Sequence, residues 1–308
     1  MENIIEIEGL EKSYGDVKAV DGITFNVKSG SLFAFLGVNG AGKSTTINIL
    51  CSILIKDKGK VTVLGKDIDR HAADIKKITG IVFQSTMLDD KLTVRENLSL
   101  RASFYGIRGA DFKKRLDTLT SLMNLDEILS RPFCKLSGGQ KRRADIARGL
   151  INSPKVLFLD EPTTGLDPMT RQNVWSLIDK LRLEEGMTVF LTTHYMEEAD
   201  KADDVVIIDK GKIIANGSPI ELKSQYAFDC VKLYRPQNLE TDDMIEKTGL
   251  NFTYGGGAYN ITVASAADAA KFIAEHKDEM GTFEVLRGSM DDVFLSATGR
   301  KFDGGDAL

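Results

Sequence analysis

Cysteine, histidine, tryptophan and proline are all scarce in this chain of 308 residues, numbering three, three, one and six. Cys51, Cys134 and Cys230 lack the spacing of a metal clip, and an odd count in a chain this long predicts reduced thiols and a cytosolic setting rather than a disulfide framework. His71, His194 and His276 stand far apart, so a histidine metal cluster is unsupported. No run approaches the roughly 18 apolar residues that a membrane span requires. The N-terminus, MENIIEIEGL, has no basic segment leading into an apolar one, so no secretory leader is expected. These absences predict a soluble chain, with any membrane role reached through a partner. Net charge is −5 with 28% charged residues, and neither a basic block nor an acidic tail occurs, so nucleic acid is not the expected partner. Internal repeats and low-complexity segments are missing as well. The length favours two domains.

What is present is concentrated in one stretch. Residues 37–44 read GVNGAGKS and match G-x-x-x-x-G-K-[ST] without a gap. Gly37, Gly40 and Gly42 permit backbone dihedrals closed to other residues, so successive N–H groups can turn inward around phosphate oxygens. The candidate phosphate-binding residues are therefore Gly37, Asn39, Gly40, Ala41, Gly42, Lys43, Ser44 and Thr45. Lys43 adds a point charge and Ser44 a hydroxyl for magnesium. Residues 31–36 (SLFAFL) read as a buried strand before the loop, and 45–53 as a helix whose N-terminus faces the anion.

Around this centre the chain begins β-rich. Strands are predicted over 4–7, 19–27 and 60–64, with a turn through 13–16. A short strand over 81–83 ends at Gln84. From 92 to 129 the period becomes helical, with Leu116, Leu119, Leu122 and Met123 on one face, which marks a helical insertion. The short apolar runs at 156–159, 189–191 and 205–208 fit strands of a parallel sheet buried on both faces between helices. Residues 211–215 add an edge hairpin. After Gly217-Ser218-Pro219 the order changes to strand (230–234), helix (239–248), two strands flanking a GGG turn (251–254 and 259–263), helix (266–279) and strand (283–286). A final helix over 289–298 is capped by Ser289 with Asp292 at the capping-box position. The order βαββαβ matches a ferredoxin-like unit. Residues 301–308 read as a flexible tail.

A phosphate loop needs an acidic centre, and 156–161 (VLFLDE) supplies a strand ending in two carboxylates. Asp160 is expected to help hold magnesium, and Glu161 to polarise a water for in-line attack on a γ-phosphate. An Asp-Glu pair after a strand would by itself be a solvated loop; coupled to the loop at Gly37 it is not. Residues 136–140 read LSGGQ, followed by Lys141, Arg142, Arg143 and a helix over 144–150, a second backbone nest at a helix start.

With Tyr14, the phosphate loop, Gln84, LSGGQ, VLFLDE, TGLD at 164–167 and His194 in LTTHYMEEAD, residues 4–218 resemble the nucleotide-binding domain of an ATP-binding cassette (ABC) transporter. The resemblance implies an α/β fold: a RecA-like P-loop NTPase over 1–220, with an antiparallel β subdomain and a helical subdomain at about 86–150. A small α+β accessory domain over 221–300 would follow. It also implies that two such domains bind head to tail, as a homodimer or with a homologous ATPase subunit, with each ATP between one loop and the other's signature. In that arrangement Tyr14 would stack on adenine, and Gln84 would touch magnesium or the attacking water. Ser137, Gly138, Gly139 and Gln140 would contact the partner's nucleotide, Asp167 would lie across the interface, and His194 would hydrogen-bond the γ-phosphate. The catalytic set is thus Glu161, His194, Gln84 and Lys43; magnesium would be held by Ser44, Gln84 and Asp160.

The extension ending SMDDVFLSATG (289–299) is similar to that of bacterial exporter ATPases of the daunorubicin-resistance and sodium-export type. This implies a bacterial subunit on the cytoplasmic face of the membrane, docked on a separate permease beside Gln84, where Met87, Leu88, Leu92, Phe104 and Tyr105 could form an apolar groove. The rival expectation is a soluble cassette ATPase acting in translation or DNA maintenance. A single phosphate loop, a single signature, no sustained heptads between them and an acidic balance oppose it. A scaffold that binds ATP without turnover is opposed by Glu161, His194 and the intact signature.

Overall fold

The structure is a computed structural model in which residues 2–299 are described, so the tail expected over 301–308 lies outside the described residues. The chain divides into two compact units, one ending at Gly217 and the other beginning at Ser218.

The first unit opens with a long antiparallel hairpin, β1 (Asn3–Tyr14) and β2 (Val17–Lys28). The expected turn shrinks to Gly15 and Asp16, because β1 and β2 stay paired as far as Tyr14 and Val17; β1 runs past Gly9 (φ +58°) at a bulge, the Gly9 N–H donating to Thr24 Oγ1 at 2.9 Å. β3 (Leu32–Leu36) leads into α1 (Lys43–Leu50). β4 (Lys58–Val63) and β5 (Lys66–Asp67) complete a four-stranded antiparallel sheet in the order β2-β1-β4-β5. α2 (Ala72–Ile78) precedes β6 (Thr79–Val82); the helical insertion then contributes α3 (Val94–Ser103) and α4 (Gly109–Met123). α5 (Gly138–Leu150) begins six residues before the predicted start at 144, because Ser137 and Gln140 close a capping box ahead of it. β7 (Val156–Asp160), α6 (Pro168–Glu185), β8 (Thr188–Thr193), α7 (Met196–Ala199), β9 (Asp204–Asp209) and β10 (Lys212–Gly217) follow.

The second sheet has the order β10-β9-β3-β8-β7-β6, parallel except for the edge strand β10. Every residue of β3, β7 and β8 is buried, as expected for continuous apolar runs covered on both faces. The two sheets meet through aromatic rings. Phe25 of β2 stacks on Phe33 and Phe35 of β3, at 5.3 Å in each case, and Phe190 of β8 packs on Phe33 at 5.1 Å and Phe158 at 5.6 Å.

The second unit contains α8 (Pro219–Tyr226), β11 (Asp229–Tyr234), α9 (Leu239–Lys247), β12 (Phe252–Gly255), β13 (Ala258–Val263), α10 (Ala266–Glu275), β14 (Thr282–Leu286) and α11 (Met290–Thr298). Its antiparallel sheet has the order β12-β13-β11-β14, the ferredoxin-like arrangement, over a core that includes Val231, Leu233, Tyr259, Ile261 and Phe272. α10 stops at Glu275, short of 279, with the His276 ring against Phe272. α11 carries the expected Ser289–Asp292 capping box and buries Val293 and Phe294, packing on α8 of the same unit. Phe190→Ala, which empties the centre of the aromatic layer, is expected to destabilise the first unit by about 3–5 kcal/mol, read as a lowered denaturant midpoint in an unfolding titration.

Candidate active site

Parallel strands present their carboxyl ends at one edge of the sheet, so the loops leaving β3, β6, β7 and β8 converge there. They carry, in that order, the phosphate-loop motif, Gln84, the pair Asp160 and Glu161, and His194.

Gly37 N–H donates to Thr193 O of β8 at 3.2 Å and so fastens the start of the loop. At Gly42 φ is +114°, and a Cβ would lie 2.4 Å from Ala19 O; only glycine lets the loop close here. α1 then starts with no side-chain cap. Its first-turn N–H groups have no carbonyl of their own helix, which suits this end to an anion. Lys43 is 4% exposed and folds back, its Nζ donating to Gly37 O at 2.8 Å and Val38 O at 3.2 Å, and lies 3.2 Å from Glu161 Oε1.

Glu161 gathers the rest. Its Oε2 accepts from Gln84 Nε2 at 3.3 Å and Thr164 Oγ1 at 3.2 Å. His194 Nδ1 is 3.2 Å from the same oxygen. Burial by itself pushes the Glu161 carboxyl up, but the Lys43 ammonium, and then His194, outweigh it and hold the group below the ordinary glutamate value. Asp160 moves the other way. Burial raises its carboxyl above the ordinary aspartate value, with the Thr192 hydroxyl the strongest opposing influence. Thr192 Oγ1 donates to Asp160 Oδ1 at 2.5 Å. Glu161 takes a left-handed φ of +46°, a conformation that costs a non-glycine residue about 1–3 kcal/mol. Its N–H is held by Thr192 O at 3.1 Å and Thr192 Oγ1 at 3.2 Å.

Asn39, Gly40, Gly42, Lys43, Ser44 and Thr45, with Gln84 and Glu161 opposite, line a cavity of about 430 Å³. The Ser44 hydroxyl, in the lining of this cavity, also acts to lower the Asp160 carboxyl. A hydroxyl beside a carboxylate is a hard-oxygen pair of the kind magnesium takes, whereas among the described residues no three His, Cys, Asp or Glu side chains cluster as a metal site.

The other expected residues lie outside this cavity. Ala41 is buried in the loop and its carbonyl accepts from Gly211 N at 2.9 Å. Tyr14, 51% exposed, ends β1 beneath the Lys12 ammonium, 5.9 Å from the ring centre. Gln140 N–H donates to Ser137 Oγ at 3.4 Å and Ser137 N–H to Gln140 Oε1 at 3.0 Å, while Ser137 and Gly138 face solvent. Gly139 abuts α6 so closely that a Cβ would lie 2.7 Å from Thr170 Cγ2. Asp167 caps α6, accepting from Thr170 N at 3.0 Å and Thr170 Oγ1 at 2.6 Å. The signature and Asp167 therefore form a second cluster, joined through Thr170.

Glu198, inside the LTTHYMEEAD stretch, was assigned no role from sequence. It is 1% exposed and accepts from Thr193 Oγ1 at 2.6 Å and from Thr163 Oγ1, joining the ends of β7 and β8. A buried glutamate in a four-residue helix has no periodic signature; Thr192 and Thr193, adjacent polar residues ending an apolar strand, were the available clue.

A phosphate loop closed against a carboxylate pair at the carboxyl edge of a parallel sheet defines a nucleoside-triphosphatase. A sequence profile described as ABC transporter matches residues 20–164. Nod factor export ATP-binding protein I of Ralstonia nicotianae is 36% identical over 307 residues, covering 97% of this chain and 94% of that protein. The daunorubicin/doxorubicin resistance ATP-binding protein DrrA of Streptomyces peucetius is 35% identical, covering 97% and 93%. Among solved structures, cbiO1 from Clostridium perfringens superposes with a TM-score of 0.67 at 33% identity, over 72% of this chain and 91% of that one. A dimeric post-hydrolysis cassette bound to ADP and Pi superposes with a TM-score of 0.64 at 28% identity, over 70% and 98%. The chain belongs to the ABC transporter family and is an ATP-binding, ATP-hydrolysing subunit. The soluble translation-type alternative is not favoured.

Lys43→Ala should abolish ATP binding at working concentrations, measured by nucleotide titration. It should also move the Glu161 carboxyl upward, because burial then acts with its main opponent removed; carboxylate-resolved NMR would read that shift.

Proposed function

We propose that this chain is the ATPase of an exporter, working as a head-to-tail homodimer or with a homologous ATPase subunit and driving a separate integral-membrane permease. The observation that carries the reading is Glu161, ionised and contacted together by Lys43, Gln84, Thr164 and His194. A carboxylate kept anionic beside the phosphate loop can accept a proton from a water attacking the γ-phosphate. Ser44 and Asp160, with Gln84 across the cavity, would hold Mg2+, which neutralises charge on the phosphates. Tyr14 would stack on adenine, His194 would reach the γ-phosphate, and Ser137, Gly138, Gly139, Gln140 and Asp167 would face the partner. The exposure of Ser137 and Gly138 at the start of α5 and of Asp167 at the start of α6, all outside the lining of the cavity of their own chain, fits that arrangement. A monomer would bind ATP and hydrolyse it poorly.

The names of the relatives, Nod factor export and daunorubicin resistance, support the exporter assignment. Among the described residues no helix is long and apolar enough to cross a membrane. Attachment at the cytoplasmic face of a bacterial membrane would therefore run through the permease. The docking groove we favour has a volume of about 560 Å³ and is lined by Met87, Leu88, Leu100, Phe104 and Tyr105. Phe104 is 70% exposed and Met87 61%. Leu92, half-buried, falls outside the groove's lining.

Glu161→Gln should keep ATP binding and lower turnover by about two to four orders of magnitude, the scale of a positioned base; near-normal phosphate release would overturn the assignment. Phe104→Asp together with Met87→Asp should weaken co-purification with the permease while leaving ATPase activity of the isolated chain intact. Undiminished association would remove the groove as the docking site.

A further inference from the structure

Three basic residues follow the signature, and each is used differently. Lys141 Nζ lies over the Phe133 ring at 5.4 Å, and Arg143 Nη1 donates to Met123 O at 3.3 Å and Asn124 O at 3.0 Å, so both hold α5 within the helical insertion. Arg142 turns inward and is 5% exposed. Its Nε donates to Pro162 O at 2.6 Å, its Nη1 to Phe83 O at 2.7 Å and its Nη2 to Glu161 O at 3.4 Å. Asp145 Oδ2 lies 3.8 Å away, and Asp145 is itself held by Arg148 at 2.6 Å.

The three carbonyls belong to two segments that no longer pair with each other. The β6–β7 ladder ends at Val82 and Leu159. Beyond it the strands run out into the loops that carry Gln84 and Glu161, whose side chains must meet at 3.3 Å. The Arg142 guanidinium replaces the missing rungs. A planar fork of donors can serve carbonyls on both loops at once, which a lysine ammonium cannot reproduce at these angles. The same residue sits five positions after Ser137, roughly 7.5 Å along a helix.

We propose that Arg142 is a positioning residue that sets Gln84 against Glu161 and transmits to that pair the state of the signature at the start of its own helix. It touches no reacting atom and acts through the two loops. The transmission half of the proposal rests on the head-to-tail reading above, because there the signature engages the partner's ATP. Hydrolysis at one site would then depend on occupancy of the other, and the dependence would run through this one side chain.

The test is a double-mutant cycle of Arg142→Lys and Gln84→Ala in the full chain, with kcat, KM and the Hill coefficient for ATP measured. Arg142→Lys should leave ATP affinity within about two-fold, lower kcat on the order of 10- to 100-fold and bring the Hill coefficient toward one. In the double variant the loss should be no larger than in Gln84→Ala alone, because both changes act on one geometry. Additive losses, or a raised KM with kcat and cooperativity intact, would overturn the proposal. If Arg142→Lys fails to fold, Arg142→Gln, accepted only at the parent's unfolding midpoint, takes its place in the cycle. Ser137→Arg separates the two readings. If it leaves turnover unchanged, the head-to-tail arrangement and the transmission it carries both fall; if it stops turnover while the cycle is additive, only the role of Arg142 falls.

Discussion

Lys43 and Glu161 meet at 3.2 Å with side chains only 4% and 9% exposed, and much of the site follows from that pairing. Either charge alone in so dry a place would cost about several kcal/mol. The ammonium is therefore placed where it can also satisfy the Gly37 and Val38 carbonyls. The carboxylate, in turn, tolerates a left-handed backbone, because Thr192 fixes the Glu161 N–H from β8. The adjacent Asp160 faces the opposite electrostatic outcome one residue earlier. Two carboxyls side by side in sequence are thus separated in character because burial dominates at Asp160, whereas at Glu161 Lys43 and then His194 outweigh it.

The strands bearing this site were legible because their apolar runs are continuous, and β3, β7 and β8 lie where those runs do. The loop motif, the acid pair and the capping box at Ser289 were legible because each packs its information into a few neighbouring positions. What could not be read is long-range. Nothing near Arg142 announces that it reaches Phe83, and nothing near Glu198 announces Thr163. α6 was marked only by Asp167 and Pro168 at its start, and its buried stripe of Val174, Ile178 and Leu181 merges with neighbouring apolar positions. Leu92 lies close in sequence to the groove residues Met87 and Leu88, and only the fold shows that it is not part of the lining.

The second unit shows the same division. Its strand order follows from βαββαβ connectivity once the crossovers are made right-handed. Val293, Phe294 and Leu295 could have served either a partner or their own domain, and burial of the first two decides for the domain. The relatives that match 97% of this chain run through this unit as well, while the solved cassettes named above account for 70% to 72%.

The capping box at Ser137 has a chemical consequence for the signature. A hydroxyl is both acceptor and donor, and here the oxygen accepts from the Gln140 N–H. That bond uses a lone pair and leaves the proton to give. Aspartate could cap the helix equally well but would bring negative charge toward the partner's phosphate proposed above, and alanine could do neither. Ser137 is thus a two-way adapter, one side soldered into its own helix and the other offered outward, so engagement with an anion need not melt the turn that presents it.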